Sequence, residues 1–175
     1  MTTPALRRIA AWCLDWLIIS AYAAALVPLG LLLNGSVALA PAGWNAVSFA
    51  ALVLPATLWL TVWEAGGRAA TPGKRVLRLA VRRGDDPPGW RRSLVRNALK
   101  VALPWELGHT AAYTLAASPT SPVAEAVGMA CGIGACLVAV GYVVALFVGS
   151  GRTPYDRVAG TSVGAARPSG VDVGS

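Results

Sequence analysis

A chain of 175 residues that is 55% hydrophobic and only 13% charged carries too little polar surface for an ordinary soluble domain, and reads as a membrane protein. Its formal net charge of +7 comes without any nucleic-acid-reading motif, so membrane topology and anionic lipid headgroups account for the charge better than nucleic acid does. The cysteines Cys13, Cys131 and Cys136 match no metal spacing and sit within apolar runs, where they read as small packing residues.

In chain order, apolar runs occupy residues 9–33, 44–63, 101–117 and 126–148, and each is long enough to span a bilayer, which takes about 17–25 apolar residues. Of the 15 Lys and Arg, two precede the first run, ten lie between Arg68 and Lys100, and three follow the fourth run. The connections at 34–43 and 118–125 contain none. By the positive-inside rule this alternation predicts an all-α membrane protein with four transmembrane helices and both termini cytoplasmic. Arg7 and Arg8 ahead of an apolar stretch also resemble the start of a signal peptide. Asp15 interrupts that stretch, however, and apolar sequence continues to Leu33, so the first run is expected to remain as a span.

The first helix should start near Leu6, carry a kink at Pro28, and give way to a turn at Asn34-Gly35-Ser36. Trp44 marks the entry to the second helix, which returns at Trp63-Glu64 with Trp59 and Trp63 in an aromatic belt. The connection 64–100 is the one sizeable polar segment. Thr71-Pro72 reads as a helix N-cap followed by an N1 proline. Residues 76–83 suit either a short helix or a strand, and 84–89 form a turn. Residues 91–103 form a basic amphipathic helix, with Arg92, Arg96 and Lys100 on one face, expected to lie along the membrane surface before Pro104 bends the chain inward. A turn at 118–122 leads to the fourth helix, where Gly128, Gly132 and Cys136 make a small-residue stripe suited to intramolecular packing. A short strand is expected over 158–163. The folded unit then covers 1–165, with a disordered tail over 166–175.

Ionisable groups within spans are costly, by about 2.5–3.5 kcal/mol at a helix centre on insertion scales, and need partners. Arg8, Asp15 and Tyr22 recur every seven residues and form one polar stripe on the first helix. Asp156 is the expected partner of Arg8, and Lys74 that of Asp15. These charges either lock the helix ends or, for Asp15, open an ion pathway. Glu106, His109 and Tyr113 form a second stripe that could relay protons or hold a cation, or that simply pairs Glu106 with Lys100 or a neighbouring Arg. Candidate pathway residues are thus Asp15, Glu106 and His109; candidate contacts to anionic lipid are Lys74, Arg92, Arg96 and Lys100. No nucleophile elbow, phosphate loop or metalloprotease motif is present, so neither enzymatic activity nor a cofactor or metal is expected.

Four stretches, taken in order, resemble the RDD family of bacterial integral membrane proteins, named for an Arg and two Asp residues. They are Arg8 through Asp15, with the Arg seven residues before the Asp; Thr71-Pro72-Gly73-Lys74-Arg75 with Leu77, Leu79 and Val81 behind it; Arg92 through Asn97; and Tyr155-Asp156-Arg157-Val158-Ala159-Gly160-Thr161. The resemblance touches most of the chain and implies that Arg8, Asp15 and Asp156 are the family's motif positions. Tyr155 stands where a His commonly precedes the last Asp, so any proton role of that His is lost here. Transport has been proposed for the family, with cation–proton antiport claimed for some members. The resemblance therefore implies a multi-pass cell-membrane protein that transports a cation or proton; four helices without an internal repeat make a poor alternating-access device, so transport would require a homo-oligomer. The alternative is a non-enzymatic scaffold or accessory subunit that binds anionic lipid or a cytoplasmic partner.

Overall fold

A computed structural model describes residues 4–117 and 121–166. Helix α1 (Pro4–Ser36) is followed by α2 (Pro41–Ser48), a π-helical segment (Phe49–Val53) and α3 (Leu54–Ala65), which run on as one helical stretch. The polar connection holds α4 (Pro72–Val76) and β1 (Leu79–Arg82). A second composite stretch then runs through α5 (Gly89–Asn97), a π segment (Ala98–Ala102) and α6 (Leu103–Ala116). Helix α7 (Pro122–Ala145), α8 (Pro154–Ala159) and β2 (Ser162–Ala165) complete the chain.

Among the described residues, three helical stretches are long and apolar enough to cross a membrane: Pro4–Leu33, Pro41–Ala65 and Pro122–Ala145. The remaining predicted span falls on α6 and the π segment before it. Apolar side chains point outward along the long helices, with Leu31 70%, Ile133 62% and Val140 60% exposed, while the buried set is rich in Thr, Asp, Glu, Lys and Arg. That is the reverse of a soluble protein and what a hydrocarbon solvent requires. Cys13 and Cys136 also lie on exposed surface, so the packing role expected of them is not what they have.

The two π segments have the same origin. Each ends two residues before a proline, Pro55 or Pro104, which has no N–H to give. The wider register is seen in Leu54 N–H bonding back to Phe49 O, and Leu103 N–H to Ala98 O. Carbonyls left over by the missing donors are taken up from neighbouring helices. Tyr22 Oη–H donates to Ala51 O, four residues before Pro55, at 2.6 Å. Tyr142 Oη–H donates to Leu99 O, five residues before Pro104, also at 2.6 Å. Pro104 therefore does not separate a surface helix from a span, as the sequence suggested. The helix runs through it.

Helices α6 and α7 form an antiparallel pair through the small-residue stripe. A Cβ added at Gly128 would meet Leu115 at 2.9 Å, and one at Gly132 would meet Ala111 at 3.5 Å. Ile19, Ala56, Leu60 and Val101 pack between α1, α3 and the second π segment, flanked by Trp59 and Trp105.

Smaller departures have local causes. Helix α1 continues through Asn34-Gly35-Ser36, with Val37 N–H still bonded to Leu33 O. Residues 158–159 are helical, because Thr153 and Asp156 form a capping box that starts α8, and Gly160 (φ +65°) ends it; the strand begins at Ser162. Strand β2 pairs antiparallel with β1, Val163 opposite Val81, so the two family-like loop segments lie side by side. Much of the predicted 118–122 turn, and the tail from 167, lie outside the described residues.

Candidate functional site

At the end of the bundle that carries β1, β2 and α8, six charges, five of them buried and Arg8 half-buried, alternate in sign around a ring. The sequence sets this up by placing charges on five helices: Arg8 and Asp15 on α1, Glu64 on α3, Lys74 on α4, Arg96 on α5 and Asp156 on α8. Lys74 Nζ lies 2.7 Å from Glu64 and 4.0 Å from Asp15. Arg96 Nη1 donates to both Glu64 oxygens at 2.6 Å, and its Nε donates to Asp156 Oδ1 at 2.9 Å. Arg8 Nη2 reaches Asp156 Oδ2 at 2.5 Å, and α1 itself closes the circuit back to Asp15. Asn97 Nδ2 adds a bond of 3.0 Å to Glu64. Glu64, Arg96 and Asp156 are essentially inaccessible to solvent.

Asp15 has a task that the stripe on α1 did not reveal. Its Oδ1 accepts the Gly73 backbone N–H at 2.8 Å, and its Oδ2 accepts the Thr71 hydroxyl at 2.6 Å. It therefore caps the N-terminus of α4 from another helix, while Thr71, the expected cap, makes no cap bond of its own. The approach is close enough that a Cβ at Gly73 would lie 2.1 Å from Ala11 O. Only glycine fits between α1 and α4.

Asp156 is where α8, α5 and α1 meet. Burial pushes its carboxyl pKa up, but the guanidiniums of Arg96 and Arg8 outweigh burial and hold it below the ordinary carboxylate range. Its carboxylate also accepts the Thr153 hydroxyl at 2.9 Å. The same acids keep Arg96 protonated against the cost of burial. Tyr155, at the position where the family resemblance implies a His, stacks edge-on to Tyr142 and lies under the Arg96 guanidinium. Burial raises its hydroxyl pKa, so it is neutral at physiological pH.

The residues expected to contact lipid do not lie on the outer surface. Lys74, Arg96 and Lys100 are buried, and Arg92 donates to Ala159 O at 2.9 Å. The basic face of residues 91–103 points into the molecule, with Trp90 and Val95 outward. Acids on α3 and α8 supply the reason: pairing there offsets desolvation that an apolar face would not. Among the described residues, the exposed basic ones are Arg68, Arg75, Arg78, Arg83, Arg91 and Arg157.

Glu106 belongs to a separate polar seam between α2 and α6. Asn45 Nδ2 donates to Glu106 Oε1 at 2.6 Å and contacts Thr110 Oγ1 at 3.2 Å, while Ser48 and Tyr113 share a hydroxyl–hydroxyl bond. Glu106 Oε2 and Asn45 Oδ1 are both buried without a donor. His109 turns its Nδ1 to Trp105 O, one turn back on its own helix, at 2.9 Å. The structure thus brings Arg8 to Asp156 and Lys74 towards Asp15, but it does not join Asp15 to Glu106 and His109 in one pathway. Sequence reasoning missed Glu64, the ring's best-connected acid, and Asn45. An acid ending an apolar span beside the most basic connection was the available signal for Glu64.

The family model for the RDD family matches residues 2–160 of the chain. No curated protein and no solved structure matches it.

Proposed function

The chain belongs to the RDD family, and on that premise we propose that it moves a proton or a monovalent cation across the membrane through the Asn45–Glu106 seam. One observation carries this reading: a carboxylate within an apolar helix, held on one side by Asn45, with its second oxygen buried and lacking a donor. Such an oxygen is costly in apolar surroundings. A proton on Oε2 turns it into a donor, and a small cation would satisfy both it and the Asn45 carbonyl oxygen. Either event changes the charge of a group inside a span, which is what a carrier needs. In this reading the protein crosses the membrane four times, α6 being the fourth crossing, with both termini cytoplasmic and the charged ring at the cytoplasmic face. Asp15 leaves the pathway and becomes structural.

The test is flux in proteoliposomes carrying a pH-sensitive dye, with pulses of Na⁺, K⁺ or Li⁺. Glu106→Gln should abolish cation-dependent proton movement while the protein stays folded. Flux no greater than in empty vesicles, or flux untouched by Glu106→Gln, overturns the proposal. The exposed arginines at 68, 75, 78, 83, 91 and 157 favour a second reading, a scaffold or accessory subunit that binds an anionic membrane surface or a cytoplasmic partner. That reading fits a protein without flux whose vesicle binding weakens as salt rises.

A further inference from the structure

Between α1 and α7 lies a cavity of about 720 Å³, within the range of about 300–1,000 Å³ typical of ligand sites. Its wall is mostly apolar, with Trp12, Trp16, Trp105, Ala139 and Val140, and Arg8, Lys74, Arg96 and Lys100 also line it. Four bases therefore face this region against the three acids of the ring. Three of the bases are committed to Asp15, Glu64 and Asp156. Lys100 is the surplus: it is 4% exposed, lines the cavity, and makes no ion pair or hydrogen bond among the described residues. A buried base in the wall of an otherwise apolar slot is complementary to an amphiphile with an anionic head.

We propose that this cavity seats one anionic membrane phospholipid, its phosphodiester on Lys100 and an acyl chain against Trp12, Trp16 and Val140. Lipid reaches the site from the side, since the walls of α1 and α7 expose Trp12, Val140, Val143 and Val144 outward. The lipid is a resident of the fold, distinct from lipid attracted to the exposed arginines. The inference is independent of the flux reading, because Asn45, Glu106 and His109 do not line the cavity.

Full-length protein is stripped of lipid in detergent and titrated with phosphatidylglycerol, phosphatidylcholine or palmitate, with bound species counted by native mass spectrometry. One phosphatidylglycerol is expected to bind at least tenfold more tightly than phosphatidylcholine. Lys100→Met should reduce that preference at least tenfold. Ala139→Trp, which fills the slot and leaves every charge in place, should abolish retention of both phospholipids while the protein remains monodisperse. Raising the salt concentration should affect these losses little, unlike binding to exposed arginines. Equal affinity for the two phospholipids, or preference for palmitate over phosphatidylglycerol, overturns the proposal. So does unchanged binding in folded Ala139→Trp, or a dimer that buries the slot and carries no lipid. If Lys100→Met fails to fold, Ala139→Trp alone decides.

Discussion

Replacing Arg96 with methionine tests whether the charged ring is held by balance or by its individual bonds. Arg96 is 1% exposed and hydrogen-bonds two acids, Glu64 at 2.6 Å and Asp156 at 2.9 Å. Removing one partner of a buried ion pair costs about 3–5 kcal/mol, because a charge is stranded. Here each acid keeps another base, Lys74 at 2.7 Å for Glu64 and Arg8 at 2.5 Å for Asp156. The cost of Arg96→Met should therefore fall at the low end, about 3 kcal/mol, which is more than a hundredfold in the folding equilibrium at about 1.4 kcal/mol per factor of ten. Adding Glu64→Gln removes the opposite charge and leaves two balanced pairs, Asp15 with Lys74 and Asp156 with Arg8. The double variant should recover at least half of the loss although it carries one more substitution. Unfolding by denaturing detergent, followed through tryptophan fluorescence, measures both. A single variant within about 1 kcal/mol of the parent, or a double variant less stable than the single, would refute charge balance as the organising term.

Gly73→Ala should destabilise by at least about 2 kcal/mol, since its Cβ would lie 2.1 Å from Ala11 O; Gly67→Ala, with nothing within 4 Å, is the matched control, and thermal melting in detergent compares them. Because Asp156 has its carboxyl held below the unfolded value of about 3.9, the stability it contributes is present above that pH and is lost as pH falls through its lowered folded value. The melting temperature should accordingly drop below about pH 4, and more gently in Asp156→Asn, as scanning fluorimetry across pH would show. With the native cysteines replaced, a cysteine at Ser36 should be labelled by an impermeant maleimide from outside intact cells and one at Gly84 only after permeabilisation; the reverse pattern overturns the proposed orientation.

Much of the architecture was legible because membrane solvent writes itself into composition. The apolar runs mark the long helices, and the Arg8–Asp156 contact could be expected because a charge near a span must be paired. The strand pair was readable in part, β1 better than β2, since the Thr153 capping box extends helix into 158–159. Periodicity failed at Arg92, Arg96 and Lys100 for a definite reason. It tells which residues share a face, but not where that face points, and direction here is set by Glu64 and Asp156, 32 and 60 residues away in sequence from Arg96. Asp15 has its expected cation, Lys74, at 4.0 Å, but its closer bonds cap α4, because a backbone N–H close to a helix start offers partial positive charge that no count of Lys and Arg includes. The prolines at 55 and 104 were visible, but not the π register, which depends on Tyr22 and Tyr142 arriving from other helices.

The order in which the ring's members leave the ribosome has a consequence for biogenesis. Arg8 and Asp15 emerge first, Glu64 and Lys74 next, Arg96 later, and Asp156 only after α7 has been made. Until α8 arrives, Arg8 has no carboxylate and Arg96 has only Glu64. The earlier helices must therefore wait in the bilayer with an unmatched positive charge, and the final residues act as a latch on helices already inserted. A chain that stops short of residue 156 would keep its apolar spans yet present the guanidiniums of Arg8 and Arg96 with incomplete partners, an incompletely matched state for membrane proteases to act upon.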